Sequence, residues 1–286
     1  MANAPRTSDV VARMVRAAAD DVRDALPAAL RDEPDAVHEH RTRVRRLRAV
    51  LAGVSAYVDA AAARRLRDDY REWGHALGIV RDLEVRAEQA DAALADAGID
   101  DEDAWRRLVG RERELYALEH ARLEQLASLS QAAKRERRLE RFAKHPHARG
   151  GKARKDLRRI LQHEVKQVRR AERAYDGALA TQHELRKAGR RLRYIAESIA
   201  AQAPGLFDVA DLVAAGKGVH DALGEQRDAL LFVERLRLAR AAADAAGEAL
   251  APYEQLIDAA ESRASHHAKG LKPALKQLRR GAKAIG

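Results

Sequence analysis

Apolar residues in this chain return every three or four positions for most of its length, the period of helices with one buried face. Val11, Val15, Val22 and Leu26 set the first run and predict a helix over 6–31, with Thr7 or Ser8 as its cap. Pro34 interrupts it, and Asp35 stands where a second helix over 36–58 would be capped. Val37, Val44, Leu47 and Leu51 mark that helix's buried side. A third helix is expected over 60–97, stopped by Gly98, and a fourth over 102–130, begun by Asp100 or Asp101. Residues 131–155 break the pattern; they are densely basic, carry the turn signal Gly150-Gly151 and read as a link. The cycle then restarts, with helices expected over 153–176, 180–202, 206–244 and 248–280. Pro204-Gly205 separates the second and third of these, and Pro252 suits the first turn of the fourth. The expected fold is all-α, with one four-helix unit and a basic link over 1–150 and a second four-helix unit over 151–286.

The second unit repeats the first in detail. Residues 38–48 read HEHRTRVRRLR and residues 183–193 read HELRKAGRRLR, so seven of eleven positions coincide. A second match joins Leu77-Gly78-Ile79-Val80-Arg81-Asp82 to Leu223-Gly224-Glu225-Gln226-Arg227-Asp228. Two motif pairs in one order at nearly one offset indicate duplication. The histidine and the LGxxRD element weigh more than the arginines, because Arg-rich helices match one another easily.

On a helix, His38, Arg41, Arg45 and Arg48 share one face, as do His183, Arg186, Arg190 and Arg193. Like charges at that spacing repel by a few tenths of a kcal/mol per pair, so each stripe needs neighbouring carboxylates or an anionic ligand. Arginine suits phosphate, since its planar fork donates two parallel hydrogen bonds and stays charged. A nearby polyanion would favour imidazolium in the two histidines. Arg46 and Arg191 point about 100° away, toward the next strip of surface or a partner helix. Gly78 and Gly224 are suited to close helix packing, and the Arg-Asp pairs of LGxxRD to internal salt bridges or, through Arg81 and Arg227, to the same ligand site. Against all this stands the ordinary reading of a charged helix run, a solvated face; its appearance twice makes that reading weaker.

Net charge changes the picture only by scale. The chain carries +10 over 286 residues. Residues 134–173 hold sixteen Lys/Arg against five Asp/Glu, a surplus of eleven, so the rest is close to balanced. Lys152, Arg158 and Arg159 lie in that stretch and are expected to extend a polyanion track; Lys269, Lys272, Lys276, Arg279, Arg280 and Lys283 form a second cluster. There is no cysteine, which excludes disulfides and thiolate metal sites. No P-loop, Rossmann glycine pattern, HExxH or GxSxG occurs, and no acid–base pair stands out, so neither catalysis nor a cofactor is expected. His145-Pro146-His147 and His266-His267 offer at most an adventitious metal contact. Aromatics are 4% of residues, too few for a base-stacking platform, which puts nucleic acid second among polyanion partners. No run of 18 apolar residues is present, and the first 25 residues hold no signal-like apolar run; a soluble cytoplasmic protein without a membrane partner is expected.

The paired HxxRxxxRRxR helices, each followed by LGxxRD, resemble the CHAD family, the conserved histidine α-helical domain, over about 6–280. The resemblance implies two four-helix bundles related by pseudo-twofold symmetry around a basic groove or pore that binds inorganic polyphosphate, and association with polyphosphate granules. Carried across position by position, it implies ligand contacts from His38, Arg41, Arg45, Arg46 and Arg48. In the second half it implies His183, Arg186, Lys187, Arg190, Arg191 and Arg193. It implies no hydrolysis here, because the strands of the triphosphatase-like tunnel domain fused to some members have no counterpart. Two departures stand out: Leu185 replaces His40, and Ala188-Gly189 replaces Arg43-Val44, which predicts closer packing or a kink.

Overall fold

The computed structural model describes the backbone of residues 5–266 and 270–285, and their side chains except at 225, 226 and 263–266. His267 and Lys269 fall outside the described residues. The described elements are helical: α1 (Thr7–Leu30), α2 (Ala36–Gly53), α3 (Ala60–Asp96), α4 (Glu102–Trp105), a π-helical turn (Arg106–Gly110), α5 (Arg111–Ser128) and α6 (Ser130–Lys144). The second half contributes α7 (Ala153–Ala174), α8 (Leu179–Gln202), α9 (Ala210–Ala246), α10 (Ala251–His266) and α11 (Leu271–Ala284). No helix among the described residues is long and apolar enough to cross a membrane.

The unit that repeats is longer than four helices. Much of the basic stretch expected to be a link is α6, and the single helix expected over 248–280 is divided into α10 and α11, the latter running on to Ala284. Both α6 and α11 are amphipathic. Leu139 and Phe142 bury one face of α6, while Leu275 and Leu278 bury one face of α11. Each docks on the first and third helices of its own half, α6 on α1 and α3, α11 on α7 and α9. The surplus of charge in these segments had hidden their apolar period.

Capping also departs from expectation. Asp35 sits at the start of α2 with φ +60 and makes no side-chain cap bond; its carboxylate instead lies 3.5 Å from Arg81. Thr7 turns its hydroxyl to buried Asp156 of α7, 2.8 Å away, tying the two halves together. Asp59 and Asp101 do cap, accepting from Ala61 and Ala62, and from Ala104. Gly98 and Gly247 end α3 and α9 in the left-handed region, φ +64 and +72, where a Cβ would be strained.

Two cores bind the halves. The larger runs from Val10 to Ile285 and draws on both halves, so neither unit has a core of its own. The smaller lies where α3 and α9 reach past the others: Ala90 and Leu94 meet Phe232 and Leu236, closed by Leu108, Tyr253 and Leu256. Arg107 forks onto Glu248 across this join. Gly189 serves the closer packing anticipated from the sequence, and α8 runs unbroken. A Cβ on Gly189 would stand 2.9 Å from Val219, and one on Gly216 would stand 2.6 Å from the Gly189 carbonyl.

Candidate polyanion site

The site lies between the two joins. At one join the C-terminal half of α2 packs on α8, with Gly53 against Ile195. At the other, Arg235 donates to the Arg86 carbonyl at 3.2 Å beside the smaller core. Between them the motif residues lie in matched pairs, Arg45 with Arg190 and Arg41 with Arg186, with His38 and His183 next along their own helices.

The LGxxRD element builds the frame for this stripe. Gly78 leaves room for the Arg41 guanidinium, which would lie 3.4 Å from an added Cβ, and Gly224 does the same for Arg186 at 3.0 Å. Asp82 then holds Arg41 at 3.2 Å, and the Asp228 charge supports Arg186. Arg81 lies close to His38 and Arg227 close to His183. Arg81 itself is held by Glu84 at 2.8 Å and by Asp35. The two motifs are therefore one device: the glycine makes the slot, the aspartate fixes the first arginine of the stripe, and the arginine stands by the histidine.

What this frame presents is unbalanced charge. Arg45, Arg48 and Arg190 are half-buried, and none forms an ion pair among the described residues. Burial first, then the charges of Arg41, Arg190 and Arg186, pulls Arg45 down to about 10. Arg190 is lowered by burial and by Arg186, Arg41 and Arg48, and Arg186 by burial and then by Arg227 and Arg41. Arg48 is lowered by burial and by Arg71 and Arg67 of α3. The Nε atoms of Arg45, Arg48 and Arg186 are buried without a hydrogen-bond partner. Such groups normally find partners, and several unpaired cations in one place mark a site that an anion would complete.

The other sequence candidates sit differently. Arg46 reaches across to Glu197 of α8 and lies over the Tyr194 ring, and Arg193 shares that carboxylate at 2.7 Å. Arg191 forks onto Glu164 of α7 at 2.5 and 2.7 Å, and Glu164 is only 1% exposed. Removing one partner of a buried pair costs about 3–5 kcal/mol, so Arg191 is committed to the fold. Lys187 is exposed and faces Glu184 at 3.2 Å. Lys152 and Arg159 are exposed at the start of α7, where Arg159 lies 3.6 Å from Asp156, and Arg158 is half-buried there. The structure does not bring these three into the central group.

Sequence reasoning passed over Arg67 and Arg71, although with Gly78 and Arg81 they share a face of α3 at helical spacing. It also passed over His220 of α9, which lies by Arg186 and Arg190 and has Gly74 at its repeat position, so the duplication gave no signal for it. His40, the unmatched histidine, belongs to the core: Trp73 donates to its Nε2 at 2.9 Å and it is 1% exposed.

His40 and His220 make the fold acid-sensitive. Burial, then Arg135, lowers His40 to about 4; burial, then Arg186 and Arg190, lowers His220 to about 4. The unfolded chain takes up these protons near pH 6.5 and the folded chain does not, so stability is lost as pH falls from there toward 4. Urea unfolding at pH 7, 5.5 and 4.5 checks this. Wild type should lose stability relative to His40→Leu, on the order of 2 kcal/mol by pH 4.5. An unchanged difference would show that His40 is not buried neutral.

A sequence model of the CHAD domain matches residues 13–237. No curated protein matches the chain by sequence. Among solved structures, the CHAD domain from the plant Ricinus communis superposes with a TM-score of 0.72 at 20% identity, covering 96% of this chain and 92% of that one. PptA from Streptomyces chartreusis superposes with a TM-score of 0.73 at 20% identity, covering 96% of this chain and all of that one. At that identity the likeness is one of fold.

Proposed function

We propose that this chain, which belongs to the CHAD domain family, binds inorganic polyphosphate along the stripe from His38 and His183 through Arg41, Arg186, Arg45 and Arg190 to Arg48. The observation that carries this reading is the half-buried group Arg45, Arg48 and Arg190, without ion pairs among the described residues, beside Arg41 and Arg186 in the slots left by Gly78 and Gly224. A chain of phosphates offers negative charge at every link and two oxygens to each planar fork. Arg67 and Arg71 continue the track along α3 beyond Arg48. His38 and His183 are held below their ordinary value by burial and by Arg81 and Arg227 respectively. An arriving polyanion reverses that field, so binding should take up protons near neutral pH.

The role is binding, without turnover. The converging groups are mostly guanidiniums, which hold phosphate oxygens but exchange no proton near neutral pH. Granule association follows from holding a long polymer and is part of the same proposal. Titration with polyphosphates of graded length, scored against single- and double-stranded DNA at matched charge, tests it. Tens of phosphate units should bind far more tightly than orthophosphate, with affinity falling steeply as salt rises. Equal affinity per phosphate for DNA would replace this reading with general polyanion binding.

A further inference from the structure

On the opposite side of α3 from Arg67 lies a second cationic cleft that the polyphosphate track does not use. It has a volume of about 520 Å³ and lies between the start of α3, the end of α6 and the segment that follows. That is within the roughly 300–1,000 Å³ of small-molecule sites. Arg65, Arg138, Arg141, His145 and His147 line it. Arg65 stands about 200° around the helix from Arg67, so the two belong to different faces.

The cleft holds more cations than its carboxylate balances. Asp59 accepts from the backbone N–H groups of Ala61 and Ala62 at 3.0 Å, and its charge also acts on Arg65 and His147. Arg138 is paired with Asp69 at 2.9 Å, but Arg65 and Arg141 form no ion pair among the described residues. The histidines are fixed by backbone. The Asp59 N–H donates to the Pro146 carbonyl at 3.4 Å, and the Arg149 N–H donates to the Tyr57 carbonyl at 2.9 Å. Within this pinned segment His147 has φ +47, a left-handed conformation that is strained for a non-glycine residue. Strain of this kind is retained where it aims a side chain.

The floor has a different character from the rim. Leu66 and Phe142 are both buried and both line the cleft. A bare anion would have no use for that surface. Among the described residues no group of three His, Asp or Glu can hold a metal ion, so His145 and His147 do not form a metal centre with Asp59.

We propose that this cleft binds a nucleoside phosphate, with its phosphates against Arg65, Arg141 and the two imidazoles and its base toward the apolar side of the cleft at Ala62, Leu66 and Phe142. The site is separate from the polyphosphate stripe, and the proposal does not rest on that function. Isothermal titration with ADP, pyrophosphate and adenosine tests it, using wild type, Arg65→Ser/Arg141→Ser and Arg45→Glu/Arg190→Glu. ADP should bind once per chain to wild type and to Arg45→Glu/Arg190→Glu alike. Pyrophosphate should bind at least about tenfold more weakly, and adenosine not measurably. Arg65→Ser/Arg141→Ser should weaken ADP by at least about tenfold and leave long-chain polyphosphate unaffected. Both arginines are exposed, so the variant should fold. Equal affinity for ADP and pyrophosphate would reduce the cleft to a plain anion surface. Loss of ADP in Arg45→Glu/Arg190→Glu, or no binding at millimolar ADP, would overturn the proposal.

Discussion

Replacing Arg45 and Arg190 together with glutamate should lower polyphosphate affinity by about 10²–10⁴-fold from lost contacts alone. Each charge-assisted hydrogen bond contributes about 1.5–3 kcal/mol, and two adjoining guanidiniums at the centre of the stripe make at least one each. Charge reversal adds repulsion to every phosphate that passes. Salt dependence should fall with affinity: two lost phosphate contacts remove about 1.4 from the slope of log affinity against log salt, if polyphosphate behaves as a flexible single strand. Far-UV circular dichroism should not change, because neither arginine forms an ion pair within the fold and both lie on unbroken helices. The new carboxylates would gain partners in Arg41 and Arg186, which already act on Arg45. A matched control places the same two reversals on the outer face of α7, at exposed Lys155 and Lys166. If the control loses as much affinity as the central variant, the chain binds polyanions by diffuse charge and the stripe has no special part.

The sequence made the repeat and the arginine stripe legible because both are periodic, and periodicity survives without coordinates. It exposed Arg45 and Arg190 as equivalents and anticipated close packing at Gly189, which the contact with Gly216 realises. Pair partners were harder to read. Arg46 and Arg191 carry the same letter as Arg45 and Arg190, yet Glu197 and Glu164 engage them from another helix. That difference depends on which way two helices are rotated against one another, and no single-helix pattern contains it. The last helix of each unit was obscured for another reason. In α6 the apolar period of Leu139, Phe142 and Ala143 is sparse within a run of charge, and charge density reads as linker until a packing surface is in view. LGxxRD was legible as a motif but divided between packing and binding. The structure joins the two, since Gly78 and Gly224 make the space in which Arg41 and Arg186 lie.

The unliganded site should also leave a mark on stability: Arg45→Met/Arg190→Met should be more stable than wild type without ligand and less stable with it. Holding Arg45 at about 10, well below the ordinary arginine range, means its charged form is disfavoured in the fold by on the order of 3 kcal/mol at neutral pH. The sign follows from proton counts. Between about pH 10 and the ordinary arginine value, the unfolded chain binds more protons than the folded one. Stability contributed by this group therefore rises with pH through that window, and below it the penalty is present in full. Methionine removes the charge and keeps an apolar stem of similar reach, so the variant should gain roughly 1–2 kcal/mol at pH 7. Wild type recovers this by binding. At a hundred times its Kd, polyphosphate stabilises the folded chain by about 2.7 kcal/mol, and the variant, unable to bind, gains almost none. Thermal melts with and without long-chain polyphosphate should therefore reverse their order. A variant less stable than wild type in both conditions would mean that Arg45 and Arg190 hold the helices together through contacts of their own. The gap in charge compensation would then be no guide to a ligand. A reversal would tie the cost of the apo state to the affinity of the bound one, as expected if the fold tolerates these guanidiniums because an anion completes them.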